Sequence, residues 1–351
     1  MTQKVQTPHQ PTVLDLFCGC GGLSLGFIQA GYNVIAGLDV WQDALDTFAF
    51  NHPDSQVIHT DLFKISPLEI SEKIKTKSID VIIGGPPCQG FSIAGKRMIE
   101  DERNQLYKAF VDFVAFYQPK AFVMENVPNI ISMGKGAIKD QIIQDFEALG
   151  YTVSYKILLA ADFGVPQNRK RAFFVGLRNG QSFDFPRPTQ TQVITCKEAI
   201  DDLPEQSLED GAKYLTPPQS DFQTLMRQNS KSIYQHQITQ HNEKTINTIA
   251  LVPDGGNYKN LPIELQDTRK VNIAWTRLNS QKPSFTIDTG HRHHFHYTFN
   301  RVPTVRESAR IQSFPDHFHF LNSKTSQYKQ VGNAVPPLLS QTIAQYLLEL
   351  L

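Results

Sequence analysis

Apolar positions in the first half of the chain fall in short, almost unbroken runs. TVLDLF (12–17), NVIAGLDV (33–40), QVIHTDL from 56, IDVIIGG from 79 and KAFVMEN from 120 read as strands. Between them LSLGFIQAG (23–31), QDALDTFAFNH (42–52) and NQLYKAFVDFVAFYQ (104–118) carry helical spacing, and TVSYKILLA (152–160) and RAFFVGL (171–177) add two strands. Strands that stay apolar instead of alternating belong to a sheet covered on both faces. The pattern predicts an α/β domain: a doubly wound, mostly parallel sheet of Rossmann-like type. It breaks after about residue 180, where PRPTQTQ and LTPPQSD read as loops. PPLLSQTIAQYLLELL (336–351) regains helical character, with proline at its start where a missing N–H costs nothing. At 351 residues the chain exceeds one ordinary compact domain. The expected division is a large domain over 1–185, completed by 325–351, a smaller loop-rich domain over 186–300, and a connection over 301–324.

Strand ends carry the candidate chemistry. DLFCGCGGLSLGF (15–27) is a strand, a glycine turn and a helix. Such a turn lets backbone approach a ligand, and the helix N-terminus favours a negative group. Asp39 closes the second strand 20 residues after Gly19, where ribose hydroxyls arrive in this fold, and Asp61 ends the third, within reach of a base edge. A nicotinamide or flavin enzyme would look similar, although G-x-G-G spacing differs from the dinucleotide pattern. In IIGGPPCQGFS (82–92), Pro86 and Pro87 stiffen the chain directly before Cys88, at the carboxyl edge of the sheet. Glu125 ends the next strand, and a semi-buried carboxyl there would have a raised pKa. Arg169 and Arg171, two apart in GVPQNRKRAFFVG, share one face of an extended segment. A thiolate to add to an electron-poor ring, an acid to protonate a ring nitrogen, arginines for an oxygen and an adjacent methyl donor would together methylate an unreactive aromatic carbon.

Composition narrows the setting. No apolar run reaches the length of a membrane span, and the polar MTQKVQTPHQP start is no secretory signal, so a cytoplasmic protein is expected. Four cysteines, none in a C-x-x-C pair, do not make a disulfide framework; Cys18 and Cys20 lack a second pair at zinc spacing, so no metal is expected. Formal net charge is zero, with 34 basic and 34 acidic residues. Residues 269–310, however, hold eight Lys/Arg against Asp288 and Glu307, a local balance of 8 − 2 = +6. That band reads as a nucleic-acid footprint.

Taken in order, these segments resemble the cytosine-5 DNA methyltransferases over most of the chain. DLFCGCGGLSLGF resembles the family's S-adenosylmethionine turn, GGPPCQGFS its nucleophile loop, ENVP its acid motif and QNRKR its Q-x-R-x-R motif. TVRESARIQSFPD (304–316) and QVGNAVPP (330–337) resemble its two C-terminal motifs. The resemblance implies that Cys88 attacks C6 of cytosine, Glu125 protonates N3, and Arg169 with Arg171 holds the O2 edge. It implies a cofactor pocket of Phe17, Gly19, Gly21, Gly22, Leu23, Asp39, Val40, Asp61, Leu62, Pro87, Asn333 and Val335, with Asn333 also bracing the nucleophile loop. It further implies duplex DNA as partner, a flipped target base, a monomer, and either a cognate restriction endonuclease or a solitary role. Candidate DNA contacts are Gln89, Ser92, Thr286, Arg292 and Arg301. The tRNA-methylating branch has a Cys-Phe-Thr tripeptide and a shortened recognition region; this chain has no such tripeptide and more than 100 residues between QNRKR and TVRESAR. A DNA-binding module without catalysis would not need Cys88, Glu125, Arg169 and Arg171 together.

Overall fold

The computed structural model describes residues 10–87, 105–189, 192–266, 275–290 and 294–351. The first part of the chain alternates β1 (Thr12–Leu16), α1 (Gly22–Gln29), β2 (Asn33–Asp39), α2 (Gln42–Asn51), β3 (Gln56–His59), α3 (Pro67–Ile74), β4 (Val81–Gly84), α4 (Gln105–Tyr117), β5 (Ala121–Asn126) and α5 (Ala137–Glu147). It continues through β6 (Thr152–Leu159), β7 (Gln167–Asn168) and β8 (Lys170–Leu177). Seven strands form one sheet in the order β3-β2-β1-β4-β5-β8-β6. Pairs from β3 through β5 are parallel, whereas β8 runs antiparallel to both β5 and β6. The order reverses between β1 and β4, and at such a switch point a crevice opens outside the carboxyl ends of the strands.

Adjacent residues of the central strands feed opposite cores. Val13, Ile83 and Val123 face the cluster shared with Phe27 of α1, whereas Leu14, Ile82 and Phe122 face the cluster shared with Ile70, Phe110 and Phe146 of α3, α4 and α5. This two-sided burial is why the strands read as continuous apolar runs. Local signals set the helix ends: Ser66 and Glu69 make a reciprocal capping box at α3, with Pro67 in its first turn.

The rest of the chain carries α6 (Cys196–Ile200), α7 (Asp221–Arg227), α8 (Glu243–Ala250), α9 (Ile263–Gln266), two-residue strands β9 (Thr276–Arg277), β10 (Ser284–Phe285) and β11 (His294–Phe295), then α10 (Val305–Ile311), α11 (Lys324–Asn333) and α12 (Pro337–Leu348). The last helix returns to the sheet: Leu339, Ile343 and Leu347 join the cluster of α1. Ser340 donates from Oγ to the Leu23 carbonyl at 2.6 Å, and Tyr32 donates to the Ala344 carbonyl at 2.9 Å. All seven residues of α10 are buried, so the segment expected as a simple connection is a core helix packed between α6 and α11.

Candidate active site

The carboxyl ends of β1, β2, β4 and β5 open on a cleft of about 770 Å³. Beyond β1 the chain turns sharply, with Phe17 at φ 62° and Gly19 at φ 53°. Asp39 holds this turn: its carboxylate accepts the Gly19 N–H at 2.8 Å and the Trp41 N–H at 2.9 Å. A Cβ on Gly19 would project into open space, so the turn leaves room for a ligand there. At Gly84 a Cβ would lie 2.0 Å from the Leu16 carbonyl oxygen, so only glycine lets β4 press this closely on β1.

Of the residues expected at a cofactor pocket, Phe17, Gly19, Gly22, Leu23, Asp39, Val40, Asp61, Leu62, Pro87, Asn333 and Val335 line the cleft. Gly21 does not. It caps α1 in the left-handed conformation, and a Cβ there would meet His52 and Phe48 behind the turn. Its role is to turn the chain, which the glycine pattern alone cannot distinguish from ligand contact. Cys18 and Cys20 are buried in two different apolar clusters, and burial pushes the Cys20 thiol up to about 12.

The cleft also holds residues that the sequence reading passed over. Asp15, next to last in β1, is fully buried and accepts a 2.6 Å hydrogen bond from Ser24; its other oxygen has no partner among the described residues. Burial first, and the nearby Asp39 charge to a lesser degree, push its pKa up to about 8 against the opposing Ser24 bond. Gln330, which lines the cleft, likewise has a buried Oε1 with no partner among the described residues. Two orphaned acceptors beside a glycine turn fit a ligand that brings a cationic donor. Trp41 lines the cleft as well, with Lys329 Nζ 4.4 Å from its ring centre. The signal for Asp15 was present as an acid inside an apolar strand, since such a residue is rarely buried without a task.

On the β5 side, Glu125 is nearly buried and pairs with Arg171, Oε1 to Nε at 2.8 Å. Burial raises its pKa above the ordinary value, opposed by the charges of Arg171 and Arg169. Next to it, Asn126 donates to the Pro86 carbonyl at 2.9 Å, pinning the Pro86–Pro87 turn. Cys88, Gln89, Ser92 and Arg292 lie outside the described residues. The two arginines divide. Arg171 meets Glu125, whereas the fully buried Arg169 grips backbone, donating to the Ile287 carbonyl at 3.1 Å and the Gly332 carbonyl at 2.8 Å. Both terminal nitrogens of Arg169 are thus engaged, and among the described residues its Nε has no partner.

Thr286 is exposed beside β10, which pairs in parallel with β7, and its hydroxyl donates to the Asn168 carbonyl at 3.1 Å. Arg301 corrects the expectation of a phosphate contact. It is buried, both terminal nitrogens meet Glu307 at 2.8 Å, and the remaining donors reach the Glu205, Pro204 and Val302 carbonyls. Arg277, Arg306 and Arg310 are buried too, bonded to backbone carbonyls or to Asp202 and Asp316. Half of the eight basic residues counted over 269–310 are therefore bonded to interior groups, and among the described ones only Lys282 is exposed. Charge summed along sequence could not separate these from surface charge.

The family model for C-5 cytosine-specific DNA methylases matches residues 11–349. The chain is 41% identical over 342 residues to Type II methyltransferase M1.HphI of Haemophilus parahaemolyticus, covering 97% of this chain and 87% of that one. It is 39% identical to Type II methyltransferase M.DdeI of Desulfomicrobium norvegicum, covering 95% and 87%. Among solved structures, a prophage-encoded E. coli protein described as a DNA modification methyltransferase superposes with a TM-score of 0.81 at 29% identity, covering 97% of this chain and 99% of that one. A doubly wound sheet with an acid, an arginine and a glycine turn around one cleft, and a match that runs almost end to end, lead to one conclusion: the chain belongs to the C-5 cytosine-specific DNA methylases and is an enzyme of that class.

Proposed function

We propose that this enzyme transfers a methyl group from S-adenosylmethionine to C5 of a cytosine flipped out of a specific duplex sequence, through a transient bond between Cys88 and C6. The observation that carries this reading is the meeting, in one cleft, of the Glu125–Arg171 pair with the Asp39-braced glycine turn. Bound S-adenosylmethionine supplies an electrophilic methyl on a sulfonium. Asp15 and Gln330 offer their free oxygens to its cationic amino-acid end, Asp39 takes the ribose, and Asp61 takes the base edge.

The chain's own groups do the rest. Pro86 and Pro87, tied to Asn126, stiffen the chain that leads into Cys88. A free thiol near pKa 8.5 is only about 3% thiolate at neutral pH, so Cys88 depends on its surroundings for reactivity. Glu125, whose pKa burial raises, holds the proton that N3 of cytosine needs as the thiolate adds. Arg171 keeps that carboxyl aimed and steadies O2 of the ring. A base then removes the C5 proton and the thiol departs. A stacked cytosine cannot reach the thiol, so the base leaves the duplex at a cost of a few kcal/mol. Residues 186–300, with Thr286 at the surface, read the duplex; 1–185 with 325–351 hold the donor, and 301–324 join the two. Gln89, Ser92 and Arg292 are further DNA contacts under this reading. The enzyme acts as a cytoplasmic monomer, either beside a restriction endonuclease of the same specificity or alone; among the described residues no helix is long and apolar enough to cross a membrane.

The test is incubation with duplex DNA and methyl-labelled S-adenosylmethionine, followed by nucleoside analysis. Label in 5-methylcytosine of DNA is expected; label only in tRNA overturns the reading. Cys88→Ala should abolish transfer while S-adenosylhomocysteine still binds, and undiminished turnover would remove the covalent step.

A further inference from the structure

Two buried glutamines outside the reacting groups join the recognition side of the molecule to the donor cleft. Gln167 and Gln312 are both fully buried. Gln167 accepts the Ile287 N–H at 2.9 Å through Oε1, and its Nε2 donates to the Ile311 carbonyl at 3.3 Å and to Gln312 Oε1. Gln312 then donates from Nε2 to the Val331 carbonyl at 3.2 Å and the Ala334 carbonyl at 2.6 Å. The chain has one consistent direction. A backbone N–H at Ile287 demands an oxygen on Gln167; that turns its nitrogen to Gln312, whose own nitrogen must then face the carbonyls of 331 and 334. Flipping either amide would set donor against donor or acceptor against acceptor. Both amides are fully engaged, so neither is free to rotate.

The ends of this relay are functional places. Ile287 follows Thr286, and Ala334 lines the donor cleft. A second link runs in parallel, with Arg169 bridging the carbonyls of Ile287 and Gly332. Contact is tight at the same junction: a Cβ on Gly332 would sit 2.1 Å from the Asp288 carbonyl oxygen. A shift of residues 286–288 against DNA cannot leave residues 331–335 where they are.

We propose that Gln167 and Gln312 are positioning residues that couple the recognition segment to the donor pocket, so that duplex bound at Thr286 tightens the hold on S-adenosylmethionine. This rests on the reading that Thr286 faces DNA and that the cleft holds the donor. Binding linkage makes the effect reciprocal: the donor tightens duplex by the same factor.

The experiment measures S-adenosylhomocysteine affinity with and without a duplex carrying the site, once sequencing of 5-methylcytosine in DNA from expressing cells has mapped it. In the wild type, duplex should tighten binding by about tenfold, within the usual range of coupling. Gln167→Met and Gln312→Met, folded by circular dichroism, should keep the duplex-free affinity within about twofold and lose most of the duplex-induced gain, with KM for DNA rising more than kcat falls. The double variant should lose no more than either single one, because a relay breaks once. A wild-type gain that survives in folded variants, losses that add in the double variant, or no gain in the wild type would each overturn the coupling while methyl transfer to DNA stands. Should a methionine variant not fold, Gln312→Glu keeps the acceptor for Gln167 and removes the donor to Val331 and Ala334; a full gain in that variant also overturns the proposal. Absence of any methyl transfer by the wild type would instead sink the functional reading itself.

Discussion

Asp15 is a buried carboxyl that costs stability and that, under the proposed function, serves binding. Its pKa sits at about 8 in the folded protein, against 3.8 as the ordinary value. Between those values the unfolded chain has released the proton and the folded one still holds it. The unfolded state therefore binds fewer protons, and stability falls as pH rises through the window. Asp15→Asn removes this dependence. At pH 7.5 the variant should be more stable than the wild type by about 1–3 kcal/mol, seen as a higher melting temperature, and the gap should close toward pH 4. A cationic ligand favours the carboxylate, so wild-type binding of S-adenosylhomocysteine at pH 7 should release a proton. Calorimetry in buffers of different ionisation enthalpy should record that release, and Asp15→Asn should lose it together with about tenfold in affinity. An Asn variant that binds as tightly and releases the same proton would place the cation elsewhere. Residues of this kind were half legible. Glu125, Arg171 and Asp39 stand at strand ends where the fold exposes chemistry, and their positions followed from the strand pattern. Asp15, next to last in β1, carried only the signal of an acid in an apolar run, and Trp41 gave no periodic signal at all.

At the scale of elements, α10 explains why local charge misled. Its RESAR run lies within the 269–310 band that reads as a nucleic-acid footprint, yet Arg306, Glu307 and Arg310 are entirely buried. Arg310 pairs with Asp316 at 2.6 Å and also meets Asp202 beyond α6, while Arg301 and Glu307 close a second pair under His236 and His296. The Arg301 charge, acting against burial, draws Glu307 down to about 2. Partners more than a hundred residues away, such as Asp202 for Arg310, have no signature in a local window. The strands and helices of the first half were legible for the opposite reason: their two-sided burial repeats within a few residues. Arg301→Ala should therefore act on stability and not on DNA electrostatics. Breaking a buried pair from one side costs about 3–5 kcal/mol, readable as a lowered urea midpoint. On the folded fraction, the slope of log affinity for DNA against log salt should match the wild type, whereas Arg292→Ala should flatten it by about one if that residue meets phosphate. A flattened slope in Arg301→Ala with unchanged stability would return it to the DNA surface.

Across the whole molecule, the N- and C-terminal motifs share one pocket because α12 docks on α1. The approach is possible only without a side chain at Gly26, where a Cβ would lie 2.4 Å from Ser340 Cβ and Oγ and 2.5 Å from the Gln341 backbone nitrogen. The same packing continues at Gly22, whose Cβ would meet the Val335 carbonyl oxygen at 2.5 Å. The return of an apolar C-terminal helix was legible from its pattern; the face it would choose was not, because a glycine in LSLGFIQAG reads as a weak point of the helix and not as a contact. Backbone cannot yield as a flexible side chain does, so Gly26→Ala should push α12 outward at a cost of about 1–3 kcal/mol. Val335 lines the cleft two residues before Pro337 opens α12. The displacement should thus reach the ligand: S-adenosylhomocysteine binding should weaken along with the melting temperature, although Gly26 itself does not line the cleft. Adding Ser340→Gly should recover only part of both losses, since the Gln341 nitrogen still stands in the way. A Gly26→Ala protein with lowered stability and wild-type ligand affinity would show that the cleft wall keeps its place independent of where α12 sits.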